Sequence, residues 1–166
     1  MTGADVAMLV VFLAIAAAVG VFGAVLTVSQ VDGWYARAPH VTWTPPGRVF
    51  GAVWAVLYAL IAVAGWLVWR RRDLQELRVP MALYVAQLVV DAVWAPMFFS
   101  GYPLIGAAAL WIGVAVIMLL DLLVLATMSA FWPVSRLATL LLLPYLLWIL
   151  YASTLNWGDA ALLSAL

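Results

Sequence analysis

The chain has 166 residues, of which 69% are hydrophobic and 8% charged, far from the roughly half apolar and one quarter charged of soluble domains. Seven arginines, no lysine and seven acidic residues sum to a formal charge of zero, which excludes a basic nucleic-acid surface and an acidic disordered tail. With no cysteine there is no disulfide framework, thiolate nucleophile or cysteine-ligated metal.

A bilayer-crossing helix needs about 20 apolar residues, and the apolar runs supply five such stretches. The first is expected over 7–28; it lacks the basic start of a signal peptide and is long enough to span. Residues 29–46, SQVDGWYARAPHVTWTPP, hold three prolines and interleaved aromatics and read as an irregular loop. A second helix is expected over 47–69, entered through Pro45 and Pro46 and stopped by Arg70, Arg71 and Arg72. A third covers 80–100 with Pro96 inside it, a fourth 104–131, and a fifth 135–155 with Pro144 inside it. Bundles tolerate such prolines where neighbours satisfy the freed carbonyl. The fold class is therefore all-α: one polytopic membrane domain over 1–166, a bundle of five transmembrane helices.

Five spans place Arg70, Arg71, Arg72, Arg78 and Arg136 on the side of the N-terminus, and only Arg37 and Arg48 on the other. The positive-inside bias then predicts a cytoplasmic N-terminus and 70–79 loop, with the 29–46 loop across the membrane.

Ten tryptophans are the oddest count. Trp69, Trp132 and Trp157 fit an interfacial belt, whereas Trp54, Trp94, Trp111 and Trp148 fall within their spans. Trp54 and Tyr58 are four residues apart; Tyr84, Gln87, Asp91, Trp94 and Phe98 follow one helical stripe; Tyr145, Trp148 and Ala152 follow another. Such stripes describe either a pocket for a flat, largely apolar molecule or aromatic packing between helices. Asp91 and Asp121 are intramembrane carboxylates, costly in hydrocarbon and expected to face the bundle interior. Asp91 shares the aromatic stripe and reads as functional, whereas Asp121 reads as a hydrogen bond to another helix. Small residues at four-residue spacing (Ala16, Gly20 and Ala24; Ala82 and Ala86; Ala109 and Gly113) read as close-packing faces.

The only histidine, His40, lies in the loop, so bis-histidine haem ligation within the bundle is excluded. A serine triad and a glycine-rich phosphate loop also lack candidates.

The hallmarks Trp34-Tyr35, Trp43-Thr44-Pro45-Pro46, Val49-Phe50-Gly51, Trp54, Leu57-Tyr58 and Trp66 stand in order. Tyr84, Gln87-Leu88, Trp94 and Phe98-Phe99 follow, then Pro144-Tyr145-Leu146, Trp148, Ala152 and Leu155-Asn156. Over about residues 7–157 this pattern resembles the tryptophan-rich sensory protein (TspO) or translocator protein family. The resemblance implies five packed helices in the lipid bilayer, commonly a homodimer, with the 29–46 loop as lid of a pocket. It implies a porphyrin or haem-type tetrapyrrole as ligand, no required cofactor, and a role as sensor, carrier or regulator of tetrapyrrole metabolism. By motif position the pocket would be lined by Tyr35, Pro45, Trp54, Tyr58, Gln87, Asp91, Trp94, Phe98, Trp148 and Ala152. The alternatives are a light-dependent porphyrin-degrading enzyme and a small proton-coupled transporter using Asp91.

Three departures from the family pattern stand out. Asp91 occupies a position usually held by Asn, and the Lys-Pro before the loop tryptophan is replaced by Ala38-Pro39-His40-Val41-Thr42-Trp43. No Lys or Arg follows Tyr145 or Tyr151, so the steroid-recognition pattern is missing there.

Overall fold

Long apolar runs force the backbone to satisfy its own hydrogen bonds within helices. The computed structural model, which describes residues 3–165, has α1 (Gly3–Val31), α2 (Gly47–Trp69), α3 (Arg78–Phe99), α4 (Tyr102–Ile105), α5 (Ala107–Phe131) and α6 (Arg136–Leu163). Among the described residues there is no strand, and five helices (α1, α2, α3, α5 and α6) are long and apolar enough to cross a membrane. The protein is thus a five-helix membrane bundle.

The spans close into a ring in the order α1, α2, α6, α5, α3 and back to α1. Side chains of α2, α3 and α6 meet across its middle. Some polar groups of the bundle find partners in other helices, which offsets the cost of burying them. Ser153 on α6 donates to Asp121 on α5 at 2.8 Å, the interhelical bond expected for that carboxylate. Close packing uses the small residues. A Cβ placed on Gly113 of α5 would lie 2.8 Å from the Phe98 ring of α3.

One end of the bundle carries the arginine cluster. Arg72 stacks its guanidinium over Trp69 at 3.7 Å and Arg136 lies over Trp132 at 5.4 Å, pairing cation with ring at the expected membrane interface. The loop after α1, α4 and the last turns of α6 gather at the opposite end.

Several boundaries differ from the sequence reading. The expected helix over 104–131 is broken at Gly106, whose φ of 62° and ψ of −145° suit glycine alone; α4 ends there and α5 starts afresh. The last helix does not stop at 155 but continues to Leu163, because Asn156 and Asp159 are buried against partners. The first helix extends to Gly3–Val31, with Asp5 in its first turn, where a carboxylate complements the helix dipole. The third starts at Arg78 and ends at Phe99. Ser135 caps the last helix, its hydroxyl accepting from the Ala138 amide at 3.3 Å.

Candidate functional site

Between the helices and beneath the 29–46 loop lies a cavity of about 920 Å³. Its long wall is a strip of small residues, Ala17, Gly20 and Ala24 on α1 beside Gly51, Ala55 and Ala59 on α2. Where side chains are this small, two helices can neighbour each other and still leave space.

Aromatic rings form the opposing wall. Trp54 lies 5.4 Å from Tyr58 and 5.8 Å from Trp94, centroid to centroid, within the range of favourable ring pairs. The indole N–H of Trp94 donates to the Asn156 side-chain oxygen at 2.8 Å, fixing its ring plane from α6. Deep in the cavity, the Tyr58 hydroxyl donates to Asp91 Oδ2 at 2.7 Å. Asp91 is 3% exposed and its Oδ1 has no partner. Thr44, at the loop end, also lines the cavity with an unpartnered buried hydroxyl.

The loop is latched onto α6. Asp159, fully buried, accepts from the Tyr35 hydroxyl at 2.8 Å and from the Val41 amide at 3.3 Å. His40 reaches the same carboxylate with Nδ1 at 3.4 Å, while its Nε2 lies 2.8 Å from the Tyr35 carbonyl oxygen. Burial, together with the neighbouring Asp159 carboxylate, holds the Tyr35 phenol above its ordinary range, so it stays a donor. Gly158 leaves the room into which Val41 packs. Two further bonds complete the closure: Trp34 donates to the Phe99 carbonyl at 2.9 Å, and Tyr151 to the Trp43 carbonyl at 2.7 Å.

Of the residues expected from sequence, Tyr35, Pro45, Trp54, Tyr58, Asp91, Trp94 and Ala152 line this cavity. Gln87, Phe98 and Trp148 stand behind the wall instead. Gln87 is buried on α3 with both amide atoms unpartnered. Phe98 is fully buried in a cluster with Leu110 and Val114. Trp148 backs the cavity residue Phe50, edge to face at 5.5 Å, and borders a separate apolar groove with Pro144. Asp159 and His40 are not among the expected site residues, and Gly20 and Ala24, expected as a close-packing face, line the cavity instead. A lone carboxylate in an apolar C-terminal stretch was the available signal for Asp159.

A model of the TspO/MBR family matches residues 11–161. The chain belongs to the TspO/MBR family. Among its relatives, the human Translocator protein is 35% identical over 131 residues, covering 76% of this chain and 74% of that one. The Tryptophan-rich protein TspO of Archaeoglobus fulgidus is 36% identical over 141 residues, 85% of this chain and 87% of its own. A Tryptophan-rich sensory protein of Cereibacter sphaeroides is 35% identical over 153 residues, 92% and 89% of the two chains. In this TspO/MBR chain the cavity lies under the 29–46 loop and holds the Asp91–Tyr58 pair at depth. Among the described residues no group of three or more His, Cys, Asp or Glu is placed to hold a metal.

Proposed function

We propose that this protein binds a flat, largely apolar tetrapyrrole of porphyrin or haem type in the cavity, and works as a sensor, carrier or regulator of tetrapyrrole metabolism. The cavity carries this reading. Small-molecule pockets run from ~300 to ~1,000 Å³, and one of about 920 Å³ has room for a macrocycle. Trp54, half-buried, offers ring surface for stacking with Trp94 5.8 Å from it, and polar anchors are few, as suits a ligand that is mostly apolar. The names sensory protein and translocator, carried by relatives, fit binding coupled to signalling or passage. The ligand is cargo or signal, with no cofactor required, and the working assembly in the bilayer is a homodimer. The lid end faces away from the cytoplasm, because five of seven arginines gather at the other end.

Titration of the protein in nanodiscs with protoporphyrin IX, followed by tryptophan quenching, tests the reading. Saturable quenching is expected. Gly51 lines the cavity, and a Cβ there meets nothing within 4 Å, so Gly51→Leu fills space without a backbone clash. Loss of binding with unchanged thermal stability supports the cavity as the site. Binding unaltered by Gly51→Leu refutes it.

A further inference from the structure

The cavity has a distinct electrostatic character. Its lining includes the carboxylates of Asp32 and Asp91 and the imidazole of His40, but none of the seven arginines. Among the described residues the ion pairs are His40–Asp159, Arg70–Asp5 and Arg72–Asp73, so none involves Asp91. Asp91 sits deep on α3 with one oxygen occupied by Tyr58 and the other buried without a partner. A bare carboxylate oxygen in a water-poor site can be satisfied by an N–H donor, most strongly by a charged one. The faces of Trp54, Tyr58 and Trp94 beside it also favour a cation over an anion.

We infer that the deep end of the cavity selects ligands whose leading edge carries a protonated or N–H-bearing nitrogen, and rejects those that lead with a carboxylate. The inference rests on the cavity being the ligand site. A tetrapyrrole carries its N–H groups at the macrocycle centre rather than at an edge, so it meets this end with an apolar edge and with its propionates directed away from Asp91. This selectivity also widens the ligand class to planar aromatic amines. Tyr58 keeps Asp91 from turning away, and Gly20 holds that ring close, since a Cβ there would lie 2.7 Å from Tyr58 Cε2.

Three tricycles of one size supply the test: 9-aminoacridine, cationic at neutral pH; 9-methylanthracene, neutral; and anthracene-9-carboxylate, anionic. Each is titrated by fluorescence into protein in zwitterionic nanodiscs, with empty nanodiscs subtracted. The cation is expected to bind at least about tenfold more tightly than the neutral compound, the anion most weakly. Asp91→Asn still accepts the Tyr58 hydroxyl bond, so the fold is retained while the cation-to-neutral ratio collapses towards one. Asp121→Asn, which changes a carboxylate outside the cavity lining, leaves that ratio high. Equal binding of cation and neutral compound by the unaltered protein overturns the inference, as does a preference that survives Asp91→Asn. Protoporphyrin IX separates the two failures. If it binds saturably while the tricycles show no preference, only the selectivity falls; if it fails to bind as well, the cavity reading falls and the selectivity with it.

Discussion

Replacing Asp159 with Asn should loosen the lid without dismantling the bundle. The buried carboxylate accepts from the Tyr35 hydroxyl at 2.8 Å and the Val41 amide at 3.3 Å, with His40 Nδ1 at 3.4 Å. An asparagine keeps one oxygen, so one of the two donors retains an acceptor while the other faces an amide group. Hydrogen bonds to charged groups are worth about 1.5–3 kcal/mol, and losing one raises the open-lid population by about 10- to 150-fold. Hydrogen exchange reads this directly, because the Val41 amide proton is held by Asp159 itself. Its exchange should accelerate by that factor in Asp159→Asn, while amides in the middle of α3 keep their protection. Tyr35→Phe removes a single donor and leaves the Val41 bond, so its effect at Val41 should be smaller. Unchanged protection of Val41 in Asp159→Asn would mean that the carboxylate does not hold the lid, and general acceleration across α3 that it holds the fold instead.

Gly20→Ala should push the Tyr58 ring off Asp91 and lower stability by ~1–3 kcal/mol, as overpacking does; an unchanged melting curve would show that the ring moves aside freely. Trp94→Phe strips the buried Asn156 oxygen of its donor and should cost about 1–3 kcal/mol, most of it recovered when Asn156→Leu is added; strict additivity in that double-mutant cycle would exclude the bond. In intact cells an impermeant thiol reagent added outside should label Pro39→Cys and spare Gln75→Cys, both exposed positions in a chain without native cysteine; the reverse pattern would invert the topology.

The number of spans was legible because each is an uninterrupted apolar run, and Trp54, Tyr58, Asp91 and Trp94 were legible because period 3.6 puts them on shared faces. What periodicity does not give is where along a stripe a cavity begins and ends. Gln87 and Phe98 are 11 residues apart, about 16 Å of helix, and the ends of that stripe pass beyond the cavity into solid packing. Trp148 has the right face of α6, but Phe50 intervenes. The α1 wall was hidden for the opposite reason. Ala17, Gly20 and Ala24 carry no chemistry, and a face that contributes only room looks the same in sequence as one that packs. Polar residues after Leu155 resemble an exit to water, and only their distant partners, Trp94 on α3 for Asn156 and the loop for Asp159, explain a helix that runs on to Leu163.

The span of chain between the two halves of the latch bears on how the protein is made. Tyr35 and Asp159 are 124 residues apart. At a synthesis rate of about 5–20 residues per second, roughly 6–25 s separate their emergence. Throughout that interval the loop has no carboxylate to close upon, and the wall from α6 is missing. A cavity that is roofed only when the last helix enters the membrane stays open to its surroundings while the other four spans assemble. On the proposed tetrapyrrole reading, a ligand dissolved in the same bilayer can therefore be enclosed during biogenesis, before the loop has to open.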